Sequence, residues 1–178
     1  MTRRGPHRPG RPGRRLLTAG RNPAPAVVLL AALTALTALT AGCAGTRPVS
    51  VPLPIAPSGA DRLACDRLSG ALPATLDGAK RRPTTPSSPL TAAYGEPPIV
   101  VVCNVGVPGS YVPSARLDVV NGVGWFAEAG DTEIRFTTVL RAPRVLVRLP
   151  KAHGSAFGVL VDLAGPVSAA TTARLPGG

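Results

Sequence analysis

Ile99-Val100-Val101-Val102-Cys103, preceded by Pro97-Pro98, is a run of β-branched residues ending in cysteine, with no polar interruption. Such a run fits a strand buried on both faces, and it makes these residues the core strand of a sheet. Downstream, Arg116 to Val120 and Val123 to Phe126 flank Asn121-Gly122. Both turn residues accept positive φ, so the stretch predicts a tight hairpin. Ile134 to Leu140 and Arg144 to Leu149 add two strands, the second alternating Val145, Val147 and Leu149 with Arg144, Leu146 and Arg148. That period of two describes an antiparallel sheet with one partly wet face.

Upstream, Ala60, Leu63, Ala64, Leu68, Ala71 and Leu72 recur at helical spacing between Ser58, a candidate cap, and Pro73. Cys65, Leu68 and Leu72 share one side of that helix. Asp77-Gly78 marks a short hairpin, Arg82 to Pro89 a loop with three prolines, and Leu90 to Tyr94 a single helical turn closed by Gly95. Ser155 to Leu163 is read as a helix, although Val159-Leu160-Val161 alone suits a strand, and Val167 to Ala173 beyond Pro166 as a second short one. The fold class is therefore α+β: a small, mainly antiparallel sheet with an N-terminal helix and one or two C-terminal helices packed on it.

The first 42 residues have a different character. Seven arginines and no acid occupy the first 21 positions, and an apolar stretch from Ala26 to Ala41 ends in Leu39-Thr40-Ala41-Gly42-Cys43. A basic segment, an apolar segment and small residues form an export signal, and a cysteine directly after them resembles a lipoprotein cleavage site. Cys43 is thus the expected lipid attachment point, palmitate included, holding the protein on the outer face of the cell membrane. The alternative is an uncleaved signal anchor, for which the stretch is short and diluted by threonine. The expected organisation is residues 1–42 as signal peptide, 43–58 as lipidated cysteine and proline-rich tether, 59–174 as one domain, and 175–178 as a frayed tail.

Removing the leader changes the charge argument. The chain has 20 basic and 9 acidic residues, and taking away the seven leader arginines leaves 13 against 9, a net of +4 instead of +11. Nucleic acid is therefore not an expected partner. Assigning Cys43 to lipid leaves Cys65 and Cys103 in an oxidising compartment, where a disulfide is expected and two separate buried thiols are the alternative. A bridge would stabilise the fold by about 4 kcal/mol on the chain-entropy account.

A family pattern runs through the same residues. Cys65 with Leu68 and Leu72-Pro73, Arg81-Arg82-Pro83, Thr85-Pro86, Ser88-Pro89, Ala93-Tyr94-Gly95, Pro97 to Val100, Cys103, Val120 to Val123 with Trp125, Phe136-Thr137-Thr138 and Val161-Asp162-Leu163 follow in order. From Cys65 to about Thr172 this resembles the actinobacterial envelope proteins grouped as domain of unknown function 3515, with Tyr94 where tryptophan is expected. The resemblance implies an export leader, a short α+β domain and no known activity, and it supplies no catalytic residues.

Site chemistry is sparse. His153 is the only histidine outside the leader, and spacing gives it neither a nucleophile nor an orienting acid. No Gly-x-Ser-x-Gly elbow or Ser-x-x-Lys pair occurs. Gly122-Val123-Gly124-Trp125 follows a tight turn and leads into a strand, so it is no dinucleotide fingerprint. Glu128, Asp131 and Glu133 crowd one turn without an EF-hand pattern, and are read as a solvated hairpin loop. No cofactor, metal set or catalytic residue is expected.

Lys80, Arg81 and Arg82, with Arg141 and Trp125, form the candidate binding surface, matched to an envelope protein or an anionic wall polymer. The functional expectation is a membrane-tethered envelope lipoprotein acting as a non-catalytic binding or assembly module. Its rival is an envelope hydrolase or transferase with an unrecognised site using His153, Asp162 or the acidic turn.

Overall fold

A computed structural model of the protein describes residues 47–174, so the expected signal peptide, Cys43 and the frayed tail lie outside the described residues. Among the described residues, twelve short strands and two α-helices follow one another. The strands are β1 (Val49–Ser50), β2 (Thr75–Leu76), β3 (Ala79–Arg82), β4 (Thr84–Thr85), β5 (Thr91–Tyr94), β6 (Ile99–Cys103), β7 (Asp118–Val120), β8 (Val123–Ala129), β9 (Glu133–Thr137), β10 (Arg141–Ala142), β11 (Val145–Pro150) and β12 (Thr172–Ala173). The helices are α1 (Gly59–Ala71) and α2 (Phe157–Ala170), with a 3-10 turn over Lys151–His153.

Eight strands make one sheet in the order β2-β3-β5-β6-β11-β9-β8-β7, with every neighbouring pair antiparallel. All five residues of β6 are buried, as the β-branched run predicts. On β11, Val145, Val147 and Leu149 are buried while Leu146, Arg148 and Pro150 alternate to the other, wetter side. Asn121 and Gly122 carry φ of 45° and 77° between β7 and β8, and Asp77 and Gly78 carry 45° and 78° between β2 and β3, so both expected hairpins form.

The two helices cover one face of the sheet and pack against each other. α1 buries Ala64, Cys65 and Leu68, and α2 buries Val159, Leu160, Leu163, Ala164, Val167 and Ala170. Between them and the sheet lie Tyr94, Ile99, Val101, Val123, Trp125, Phe136, Val145, Val147 and Leu149. Cys65 of α1 is bonded to Cys103 at the end of β6 with a Cα separation of 5.8 Å, which staples the first helix to the core strand.

Four expectations need correction. Leu90 to Tyr94 is not a helical turn: Thr91–Tyr94 is a fully buried strand, paired to β3 on one side and β6 on the other. The pairing satisfies its backbone on both edges, and this outweighs the helical preference of Ala92 and Ala93.

The two C-terminal helix candidates are one helix that runs through Pro166. Proline there removes one backbone donor, but Leu163, Ala164, Val167 and Ala170 on both sides of it are buried, so burial holds the helix together. Ser58 occupies the N-cap position of α1, yet its hydroxyl makes no capping hydrogen bond.

The proline-rich segment is also not a free spacer along its whole length. β1 pairs in parallel with β4, Val51 N–H donates to the Thr85 carbonyl at 3.0 Å, and Val51 is buried against Val100 and Val102 on the face away from the helices. Asn104 Nδ2 holds the Ile55 carbonyl at 2.9 Å, and Pro57 is buried. The strap belongs to the fold from Val49 onward.

Candidate functional site

The face of the sheet opposite the helices carries the exposed chemistry. Strand register sets it: Val100 stands opposite both Ala93 and Arg148, Arg148 opposite Arg135, and Arg135 opposite Glu128. Side chains alternate along each strand, so these residues form one row across the open face. The parallel row is Thr91, Val102, Leu146, Thr137 and Phe126.

Two arginines directly opposite one another repel, and each is relieved by its own carboxylate. Arg148 Nε donates to both oxygens of Glu133 at 3.1 Å, and its Nη2 lies 3.0 Å from Oε2. That is a fork engaging both oxygens of one carboxylate. Arg135 Nε lies 3.9 Å from Glu128 Oε2, and Glu128 also accepts from the Ser110 hydroxyl at 2.6 Å. The result is a charge chain across β8, β9 and β11 with two central arginines, each flanked by its own carboxylate.

A depression flanks each end of this chain. One, of about 440 Å³, is lined by Val49, Pro97, Val100, Glu133, Arg148 and Ala152 among others. The second, of about 240 Å³, lies between the Val105–Gly109 loop and Glu128, Arg135, Thr137 and Leu146. Tyr111 stacks edge-on against Phe126 with ring centroids 5.3 Å apart, fixing the loop that borders the second depression. Apolar walls around paired charges suit recognition of a polar segment of a partner.

The residues singled out from sequence fall in several places. Cys65 and Cys103 form the disulfide. Lys80 and Arg81 are exposed, but they point to opposite faces of β3.

Arg82 is taken up within the fold. Its side chain is only 13% exposed and pairs with Glu96, while its guanidinium donates to the Gly95 carbonyl at 2.8 Å and the Arg47 carbonyl at 2.9 Å. It ties the N-terminal strap to the turn after β5. Arg141 is likewise consumed: Nε donates to Thr171 Oγ1 at 2.6 Å, and Nη2 to the carbonyls of Thr171 at 2.8 Å and Ser168 at 3.1 Å. It closes the C-terminal end of α2, where unpaired carbonyls favour a cation. Burial lowers its pKa from the usual arginine value.

Trp125 belongs to no surface. It is 0% exposed, inside the core between sheet and helices, with no hydrogen-bond partner for Nε1. The β8 alternation points it inward, whereas its neighbour Phe126 faces the open side.

The groups of the rival catalytic reading have separate partners. Asp162 accepts from the Asp77 N–H at 2.8 Å, Glu133 holds Arg148, and Glu128 holds Ser110 and Arg135. His153 sits on the 3-10 turn beside Gly95. Among the described residues no three His, Cys, Asp or Glu side chains gather into a cluster that could hold a metal ion. No helix there is long and apolar enough to cross a membrane.

Only part of the charge chain is legible in the sequence. Its signal was present in the β8–β9 hairpin, since folding the chain back around the Gly130 turn sets Arg135 opposite Glu128. The Glu133–Arg148 pair had no such local signal, because it depends on β11 joining β9 from beyond β10.

Residues 24–175 match the model of a family described as a protein of unknown function, DUF3515. No curated protein and no solved structure matches the chain.

Proposed function

The chain belongs to the DUF3515 family, and we propose that it is a membrane-tethered cell-envelope lipoprotein whose domain is a non-catalytic binding or assembly module. The tether rests on the leader and on Cys43 after Ala41-Gly42. The binding role rests on the open sheet face, where a row of paired charges is bracketed by depressions of about 440 and 240 Å³. Both arginines of the row remain partly exposed, so they can donate to a polar ligand without being freed from their carboxylates. The partner is an envelope protein segment or an anionic wall polymer.

The test is site-specific photocrosslinking of the full-length protein in its membrane. A crosslinker at Ala152, in the wall of the larger depression, should give discrete adducts that weaken with Arg148→Ala. One at Leu63, exposed on the outer side of α1, should not. Identical adducts from both positions, or none from Ala152, would count against the open face as the binding site.

A further inference from the structure

The first described residues fix where the chain leaves the domain. Arg82 holds the Arg47 carbonyl at 2.9 Å, and Val49 N–H donates to the Pro83 carbonyl at 2.9 Å, so the strap departs beside β3. From Cys43 to Arg47 there are four residues, which reach no more than about 14 Å fully extended. A lipid on Cys43 would therefore attach the domain beside this edge of the sheet, while leaving its tilt against the bilayer unset.

That edge is basic. Arg47, Lys80 and Arg81 are exposed. Of the acids nearby, Glu96 pairs with Arg82, Asp162 accepts from the Asp77 N–H, and the Asp77 carboxylate is turned toward Gly158 of α2. Lys80 and Arg81 project to opposite faces of the strand, so they straddle the edge as two feet on either side of it.

At the other end of the sheet, β7 stands six strand positions from β3, about 29 Å away at the usual strand spacing. The strand itself exposes Asp118 and Val119, and one cation, Arg116, is exposed just before it, against three at the β2–β3 edge.

We propose that the β2–β3 edge, through Arg47, Lys80 and Arg81, rests on the anionic phospholipid headgroups of the membrane that holds the anchor, leaving the β7–β8 hairpin outermost. This rests on the reading of Cys43 as the lipidated residue. A cation at such a surface strengthens attraction to anionic lipid about fivefold, and three of them orient a domain that the lipid alone would leave free to tumble.

The acylated full-length protein, labelled with a donor fluorophore at Thr75→Cys or Val119→Cys, is placed in phosphatidylcholine vesicles with a headgroup acceptor, with and without phosphatidylglycerol. Energy transfer should be greater from position 75 than from 119 when phosphatidylglycerol is present. The difference should narrow without it, and narrow equally in the triple variant R47Q/K80Q/R81Q.

Equal transfer from both positions with the acyl group present on Cys43 by intact mass overturns the orientation while leaving the anchor standing. Absence of the acyl group overturns the anchor and the orientation together. If the triple variant keeps its orientation but loses affinity for soluble poly(glycerol phosphate), the cations belong to a wall polymer, and the membrane assignment fails.

Discussion

Arg141 Nε donates to Thr171 Oγ1 at 2.6 Å, while the Thr171 hydroxyl donates in turn to the Val167 carbonyl at 2.7 Å. The arginine thus terminates a relay that begins inside the last turn of α2, and it joins the Arg141–Ala142 strand to the residues that follow the helix. Charge-assisted hydrogen bonds to otherwise orphaned carbonyls are among the stronger local contributions. Arg141→Ala should destabilise the protein by about 2 kcal/mol in urea unfolding. Arg141→Lys should recover only part of this, since an ammonium cannot reproduce the fork.

Gly158 and Asp77 form a second long-range contact. A Cβ at Gly158 would overlap Asp77 Oδ1 and lie 2.7 Å from its Cγ, so the carboxylate sits over the first turn of α2, where the helix dipole favours it. Gly158→Ala should displace the exposed Asp77 carboxylate from the helix end and so forfeit most of the ~1 kcal/mol that glycine-to-alanine normally gains in a helix. Combining it with Asp77→Gly, which keeps the positive φ of the turn, should restore the alanine's stabilising effect in a double-mutant cycle.

Trp125, the single tryptophan, reports on the core. Its emission should be blue-shifted and resistant to iodide in the native state, and the shift should vanish on unfolding. Trp125→Ala should cost about 3–5 kcal/mol. Trp125→Phe should cost much less, because the lost volume is partly offset by removing an indole N–H that has no partner. An exposed, readily quenched tryptophan would contradict the packing.

Tyr94 gives the pH dependence a sign. Burial pushes its phenol above the usual value of 10.0, with Arg81 pulling weakly the other way, and the hydroxyl donates to the Pro73 carbonyl at 3.0 Å. A group whose folded pKa is raised contributes stability that is intact below its unfolded pKa and lost as pH rises through the folded one. Stability should therefore fall above about pH 10. Tyr94→Phe should lower stability modestly at neutral pH and flatten that alkaline decline.

The disulfide joins α1 to the core strand across a separation of 38 residues. Reduction, or the pair Cys65→Ala and Cys103→Ala, should lower unfolding free energy by about 4 kcal/mol on the chain-entropy account. Intact mass before and after reduction should differ by two hydrogens.

Elements specified by their own residues could be read from the chain: α1 from its apolar spacing, two hairpins from Asp77-Gly78 and Asn121-Gly122, and β6 from its β-branched run. Elements specified by distant partners could not. Thr91–Tyr94 has helix-favouring alanines and becomes a strand only because β3 and β6 accept it on both edges. Pro166 reads as a stop and is carried through by the buried residues around it. The same logic governs the site. Arg82 and Arg141 look like the free cations Lys80 and Arg81 in the sequence, and only the carbonyls they meet in three dimensions distinguish a structural arginine from an available one.

The parallel pairing of β1 with β4 also has a mechanical meaning. Tension applied from the N-terminal side meets the bonds of Val49 N–H to Pro83 and Val51 N–H to Thr85 before it reaches the eight-stranded sheet. Those bonds run across the strap, so a pull along it loads them in shear, together instead of one after another. Should they yield, the strap would peel from Val100 and Val102 while the disulfide still held α1 to β6. The strap is thus the part of the fold that such a pull loads ahead of the sheet.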